Sequence, residues 1–301
     1  MLKINPPEKW IETGLFMAAV VSAVAIVSIL LLLIYFCLPL FSGNGLSRVF
    51  SWRWQPIDGQ FGILPMCAGS LALSILALGI AFPPAIGICT LVHVLSRGVF
   101  ARIVLILTHF MTGIPTVIYG FVSVFVLVPR IRSLSEAGTG FSLLTAAITL
   151  AILILPTIVL VCYTRLEQLD PVLRLASAAM GFTPIQQMRH VLMPAATKGV
   201  AAAAILGLGR AMGDTLISLM LAGNAAQFPG SLFTSFRSLT AHIGLVVATD
   251  SQSLAYQSVF AAGLVLFLLV AALNLIIRKT DNRITANAFL RVQETRHEQN
   301  F

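Results

Sequence analysis

Six long apolar stretches dominate the pattern of hydrophobic and polar residues along the chain, and polar connections separate them. A helix needs roughly 20 apolar residues to cross the hydrocarbon core of a bilayer, and each stretch reaches that length. The pattern therefore predicts an all-α polytopic membrane protein with six transmembrane helices. The predicted spans are approximately residues 14–40, 62–95, 99–128, 141–163, 199–222 and 255–277.

The composition agrees with this pattern. Apolar residues make up 58% of the 301 residues and charged residues only 10%, whereas a soluble domain carries about 25% charged residues. These values exclude a soluble enzyme. The first apolar stretch is too long for the core of a signal peptide and lacks a small-residue cleavage site, so it predicts an uncleaved membrane anchor.

Lysine and arginine residues predict the orientation of the chain. With the N-terminus inside, the inner segments hold 13 of them, the outer segments hold 5, and Arg210 lies within a span. Cytoplasmic loops are enriched in Lys and Arg, so both termini are predicted to be cytoplasmic. The net charge of +8 therefore reflects membrane topology and does not indicate binding to nucleic acid.

This topology divides the chain into three parts. Residues 1–61 form an N-terminal anchor helix and a periplasmic loop, in which Trp52 and Trp54 either anchor the loop at the membrane interface or contact an outer partner. Residues 62–278 form a transmembrane domain with a cytoplasmic loop at 164–198. Residues 279–301 are a basic cytoplasmic tail, which fixes the topology or binds acidic lipid.

Prolines within the spans predict interruptions of three helices. Pro83 and Pro84 lie in the second span, Pro115 in the third and Pro156 in the fourth. Such residues are tolerated where neighbouring helices or cavities satisfy the freed backbone groups. The sequence leaves open whether they mark static kinks or a bundle that bends and moves.

Several chemical motifs are absent from the sequence. There is no GxxxxGK[ST] phosphate-binding loop, so the chain does not bind ATP in that way. No catalytic motif is present, and the histidines and the four cysteines lack the spacing of metal ligands. The sequence thus predicts a chain that is not an enzyme and has no catalytic residue, no metal site and no cofactor of its own.

The cytoplasmic loop has the pattern of two short helices around a glycine. Asp170 followed by Pro171 predicts the start of one helix, and Gly181 suits the left-handed position after its end. Thr183, Pro184 and Gln186 predict a second start with a capping box, and Pro194 is predicted to end or kink that second helix. The residues alone fit equally a hairpin that lies on lipid headgroups and a docking element for a soluble partner.

The segment GLGRAMGDT places two charges, Arg210 and Asp214, inside an apolar stretch. A single charge at the centre of a spanning helix costs roughly 2.5–3.5 kcal/mol. In a continuous helix, residues four apart share a face, so the two charges either form an ion pair that fixes packing or face a common wet pathway. In the second case Arg210 would meet an oxyanion, because a guanidinium presents a planar fork of donors.

The cytoplasmic loop resembles the loop shared by permease subunits of bacterial ABC importers, which docks into a groove on an ATPase subunit. The resemblance places Ala176, Ser177 and Gly181 at the Ala-Ala and Gly positions of that loop. Val191, Met193 and Pro194 match its Ile, Leu and Pro. Leu175 stands where that family has Glu, and Met193 where it has Leu. The resemblance implies that these residues couple the chain to an ATPase.

GLGRAMGDT resembles a segment in the permeases of the phosphate importer known as the Pst system. Arg210, Gly213 and Thr215 match Gly-Arg-Ala-Leu-Gly-Glu-Thr there, and Asp214 replaces the Glu. The segment GIPTVIYG, with Pro115, Tyr119 and Gly120, resembles a second motif of those permeases and supplies the candidate span hinge. Residues 61–88 align without gaps with their second span. The GLGR sequence favours the PstC type.

The resemblance implies the ABC importer type I permease (MetI-like) fold in a bacterial inner membrane protein. It also implies a second permease subunit of the PstA type, two ATPase subunits that bind ATP, and an outer phosphate-binding protein. The predicted function is alternating-access import of inorganic phosphate past Arg210, Gly213, Asp214 and Thr215. Import of sulfate, molybdate or phosphonate, phosphate sensing with little flux, and an ion-gradient carrier are the alternatives.

Overall fold

Helices form nearly all of the regular structure. The computed structural model describes residues 6–41, 45–94, 98–134, 138–169, 171–247 and 256–276. The helices are α1 Pro6–Cys37, α2 Gly45–Val49, α3 Leu64–Val94, α4 Val99–Thr112, α5 Thr116–Leu134, α6 Leu143–Glu167, α7 Pro171–Ala179, α8 Pro184–Gln187, α9 Met193–Gly213, α10 Leu216–Leu221, α11 Leu239–Val246 and α12 Tyr256–Ile276. The strands β1 Trp54–Gln55 and β2 Gln60–Phe61 form a short antiparallel hairpin.

The predicted number of spanning helices is confirmed for the described residues, but the prediction of the fifth at residues 199–222 was wrong, because this helix runs from Pro184 to Gly213. Six helices there are long and apolar enough to cross a membrane: Trp10–Cys37, Leu64–Val94, Thr116–Leu134, Leu143–Glu167, Pro184–Gly213 and Tyr256–Ile276. The fifth combines α8, a π-helical turn at Met188–Leu192, and α9. Each of these helices consists mainly of apolar side chains, which can pack against lipid or against other helices.

Only one of the predicted proline interruptions breaks a helix. The third apolar stretch is divided at Gly113–Pro115 into α4 and α5, and α5 continues to Leu134, beyond the predicted end at residue 128. Pro83 and Pro84 lie inside the uninterrupted α3, and Pro156 lies inside the uninterrupted α6. The prediction of interruptions at these three residues was therefore wrong.

Helix α6 lies at the centre of the bundle. It packs against α3, α4, α5, α9 and α10, and its buried residues form the main apolar core with those of α3 and α9. In contrast, α1 lies at the periphery, where the stacked rings of Phe36 and Phe260, 4.4 Å apart, join it to α12. The arrangement places the middle of α6 deep inside the protein.

The two ends of the bundle differ. The end where α3 and α6 begin, here called the hairpin end, carries β1 and β2 and is closed by residues 222–238. In that segment the buried Phe236 donates its backbone N–H to Ala222 O, and Leu143 N–H donates to Thr234 O. The end where α3 and α6 finish, here called the α7 end, carries α7 and α8.

Trp54 belongs to the core of the hairpin end. Its ring is half-buried and contacts Phe61 and His242 edge-on, at centroid distances of 5.8 and 4.3 Å. Trp52 remains exposed beside Phe228. The interfacial or partner-contacting role that the sequence suggested for both tryptophans therefore fits the position of Trp52 alone.

His242 makes the hairpin end sensitive to acid. It lies on α11, which is not among the six candidate spans, and it is fully buried. Neither ring nitrogen has a hydrogen-bond partner in the part of the chain that the structure describes. Burial, and then the positive charge of Arg237, lowers the pKa of His242 to about 3. The unfolded chain, with a His pKa of about 6.5, takes up this proton first, so stability falls as the pH drops from about 6.5 towards 3.

We expect the substitution His242→Phe to remove this contribution, since phenylalanine keeps the ring against Trp54 and cannot be protonated. Below about pH 6.5 the stability advantage of the variant grows by about 1.4 kcal/mol per pH unit. Melting temperatures of the detergent-purified protein, compared from about pH 7 to about pH 4, measure it. Parallel pH profiles for the two proteins would contradict the assignment.

Candidate functional site

The α4–α5 break is bridged by the motif that the sequence singled out. Pro115 lies in the break, and the hydroxyl of Tyr119, in the first turn of α5, donates a hydrogen bond back to Met111 O at 3.0 Å. A Cβ on Gly120 would lie 2.7 Å from Met220 Sδ, so α5 and α10 approach closely at this glycine. The motif therefore joins the break to α10.

A second break separates α9 from α10. Helix α9 ends at Gly213, and Asp214 has an extended backbone, with φ −76° and ψ 126°. Asp214 Oδ2 accepts a hydrogen bond from Ile217 N–H at 2.8 Å, which caps the start of α10. Its carbonyl oxygen accepts a hydrogen bond from Thr240 Oγ1 at 2.9 Å. Asp214 thus holds the break in place.

Arg210 lies in the last turn of α9 and has a different partner. Its Nη1 donates a hydrogen bond to Thr157 Oγ1 at 2.8 Å. Thr157 is near the middle of α6, so the guanidinium lies at about the central depth of the bundle. Among the described residues, no nitrogen of Arg210 comes within 4.0 Å of a carboxylate oxygen of Asp214. The ion pair that the sequence left open is therefore not formed.

The two faces of α9 differ around Arg210. On one side, a Cβ on Gly207 would lie 2.7 Å from Ile158 Cγ1, so this face packs tightly against α6. On the other side, a Cβ on Gly209 or Gly213 would meet no heavy atom of the other described residues within 4 Å. Arg210 is half-buried between these faces. Part of the Arg210 side chain is therefore accessible, next to a face of α9 that leaves open space.

The structure brings together most of the predicted pathway and hinge residues. Arg210 lies near both Asp214 and the Tyr119 hydroxyl, and Thr215, half-buried, follows Asp214 at the start of α10. Thr157 was not predicted. The one signal for it in the sequence was a hydroxyl directly after Pro156 in an otherwise apolar run.

The turn glycine and the capping box predicted for the loop are confirmed. Gly181 has a left-handed φ of +79°, and Thr183 and Gln186 form the capping box. Asp170, the predicted first cap, lies outside the described residues. Pro194 does not end the second helix, because it occupies the first turn of α9, directly after the π-helical turn. That turn is the only irregularity within the span Pro184–Gly213.

The predicted coupling residues do not share one surface. Ala176 and Gly181 are exposed, whereas Val191 and Met193 are half-buried and Ser177 is 3% exposed. Pro194 is exposed at the start of α9. Large apolar side chains nevertheless remain exposed on α7, on the turn that follows it and on α8: Leu173, Leu175, Met180 and Ile185. Leu175 is 71% exposed, so the position that carries Glu in the similar loops is apolar and outward here.

Sequence comparisons agree with these motifs. Residues 84–286 match the family described as binding-protein-dependent transport system inner membrane component. The chain is 35% identical over 246 residues to the probable ABC transporter permease protein YqgH of Bacillus subtilis, and the match covers 80% of each chain. It is 30% identical over 288 residues to the phosphate transport system permease protein PstC of Mesorhizobium japonicum, covering 87% of this chain and 88% of the relative.

Solved structures with the same fold include two ABC transporters. A bacterial alginate ABC transporter, in complex with a periplasmic protein that binds an alginate pentasaccharide, matches with a TM-score of 0.65 at 14% identity. That match covers 93% of this chain and 96% of the other. The inward-facing methionine transporter MetNI matches with a TM-score of 0.58 at 20% identity, over 76% of this chain and 99% of the other.

Proposed function

Because the chain belongs to the family of binding-protein-dependent transport system inner membrane components, we propose that it is the permease subunit of an ATP-driven importer of inorganic phosphate. It has the predicted ABC importer type I permease (MetI-like) fold. The observation that carries the proposal is Arg210, at mid-bundle depth, with its guanidinium bound to a hydroxyl and not to a carboxylate. Among the described residues no carboxylate forms an ion pair with this cation, so a passing anion can take that place.

In this proposal, phosphate passes along the open face of α9. Gly209 and Gly213 leave space beside Arg210, and the guanidinium offers paired donors to the oxyanion. Gly213, Asp214 and Thr215 form the break from which the pathway continues along α10. Breaking the hydrogen bond from Arg210 to the Thr157 hydroxyl requires less free energy than breaking an ion pair with a carboxylate. The phosphate can therefore replace Thr157 as the partner of Arg210.

The partners follow from the same family. A second permease subunit of the PstA type covers the open face and completes the pathway. Two ATPase subunits bind the ATP and dock on the exposed apolar surface of α7. A periplasmic or extracellular phosphate-binding protein delivers the ion at the hairpin end. The chain spans the bacterial inner membrane with both termini in the cytoplasm, and the cycle exposes the pathway alternately to the two sides.

An arginine alone does not select phosphate, because its donors bind sulfate, molybdate and phosphonate in the same way. The choice of phosphate is supported instead by the relatives named PstC. The test is uptake of radiolabelled phosphate into membrane vesicles that contain the complete system. We expect uptake that requires both ATP and this chain and that unlabelled sulfate in excess does not reduce.

Each rival function gives a different result in that experiment. Uptake that sulfate or molybdate competes away would assign another oxyanion. A sensing component would signal phosphate supply but transport little, and a gradient-driven carrier would transport without ATP or an ATPase subunit. Any of these results would overturn the proposal.

A further inference from the structure

One residue of α7 contacts the ends of two spanning helices. The guanidinium of Arg174 contacts His93 Nε2, at the end of α3, and its Nη2 lies 3.9 Å from Glu167 Oε1, at the end of α6. The same Glu167 oxygen lies 3.8 Å from His93 Nε2. The three side chains therefore form a polar cluster, here called the Arg174 cluster, in which α7, α3 and α6 meet.

A second set of contacts fixes the backbone of α7 to the following helix. The side-chain amide of Gln187 donates to Arg174 O at 2.7 Å and to Ser177 Oγ at 2.6 Å. Gln187 ends α8, which continues through the π-helical turn into α9. Arg174 is therefore held at its backbone by one part of the bundle and at its side chain by another.

Close packing does not fill the space between α7 and α3. A cavity of about 310 Å³ lies there, lined by His93, Val94, Arg174, Pro184, Gln187, Met188 and Leu192. Groups that a void separates are not in van der Waals contact, so they do not push directly on one another. Arg174 and His93 both line this cavity, and their contact joins α7 directly to α3.

We propose that Arg174 is the positioning residue through which a displacement of α7 moves the ends of α3 and α6. This inference rests on the proposed function, in which an ATPase docks on the outer face of α7. That outer face carries Leu173 and Leu175, whereas Arg174 is directed to the spanning helices. The side chains that would contact the ATPase are thus different from the side chain that contacts α3 and α6. Substitutions of these residues can therefore distinguish ATPase docking from the transmission of the α7 displacement.

The experiment measures coupling in the complete transporter. The permease pair, the ATPases and the binding protein are reconstituted in liposomes, and the phosphate transported per ATP hydrolysed is determined. We expect Arg174→Ala to keep ATP hydrolysis within about twofold and to lower uptake roughly tenfold, the loss that corresponds to one charged hydrogen bond. Arg174→Lys, which keeps the charge, recovers part of the ratio.

Two further variants make the result specific. Arg189→Ala removes an exposed arginine from the neighbouring π-helical turn and is expected to leave the ratio unchanged. Glu167→Gln keeps the size of the side chain, removes its charge, and is expected to lower the ratio in the same direction as Arg174→Ala. Size-exclusion chromatography verifies that each complex assembles.

An unchanged ratio in both Arg174→Ala and Glu167→Gln would overturn the inference. A parallel loss of ATP hydrolysis and phosphate uptake in Arg174→Ala would also overturn the inference, because that result assigns Arg174 to ATPase docking. Failure of the proposed function looks different, since the unmodified complex would then lack ATP-driven phosphate uptake. If another oxyanion is transported instead, the same ratio measured with that ion tests Arg174 independently.

Discussion

Replacing Arg210 with alanine is expected to reduce ATP-driven phosphate uptake roughly 10- to 100-fold. A hydrogen bond to a charged group contributes about 1.5–3 kcal/mol, and each 1.4 kcal/mol corresponds to about a factor of ten. Alanine leaves a passing phosphate without a cation at the central depth of the bundle. The initial rate of radiolabelled phosphate uptake, normalised to the amount of this chain in the membrane, measures the effect.

Two other substitutions show which property of Arg210 matters. Arg210→Lys keeps the charge but loses the planar fork, so an intermediate rate is expected. Thr157→Val removes the hydrogen-bond acceptor of Arg210 while it keeps the size of the side chain, so uptake should remain close to normal. Near-normal uptake in both Arg210→Ala and Asp214→Ala, at normal protein levels, would remove the pathway role from the two charged residues.

The spans were predictable because the bilayer imposes a simple rule on sequence. A spanning segment must be apolar along its whole length, and the local pattern records this directly. The ends of the loop helices were predictable for a related reason. The capping box of Thr183 and Gln186 and the positive φ of Gly181 depend only on residues close in sequence.

The separation of Arg210 from Asp214 was not predicted, although its cause is local. The rule that residues four apart share a face holds only while the helix continues, and α9 ends at Gly213. Asp214 then uses its carboxylate to cap α10, as aspartate commonly does at helix starts. The Gly213-Asp214-Thr215 sequence carries this signal, but the apolar run around it favoured one continuous span.

Tertiary contacts account for the remaining differences between the sequence-based predictions and the structure. Thr157 and Arg210 are 53 residues apart, so no local pattern joins them. The prolines show the same limit. Pro156 and the pair at 83–84 stay within helices of the central core, so the packing of these helices outweighs the local effect of a proline. Near Pro115, Gly113 also has a low helix propensity, and the helix breaks between these two residues.

The close packing of α9 against α6 gives the second large prediction. A Cβ on Gly207 would lie 2.7 and 2.9 Å from two carbons of the Ile158 side chain, so the helices can approach only because this residue has no side chain. We expect Gly207→Leu to destabilise the protein by about 1–3 kcal/mol or more through overpacking. The melting temperature of the purified complex, and the amount of chain retained in the membrane, should both fall.

Gly209→Leu is the matched control, since it places the same side chain two residues further along the same helix. Outside its own stretch of helix, no heavy atom of the described chain lies within 4 Å of a Cβ at this position, so stability should stay within about 0.5 kcal/mol of the unmodified protein. Uptake should nevertheless fall, because the leucine fills space beside Arg210 on the open face. Equal destabilisation by the two substitutions would mean that both faces of α9 are packed, and the pathway would then have to lie elsewhere.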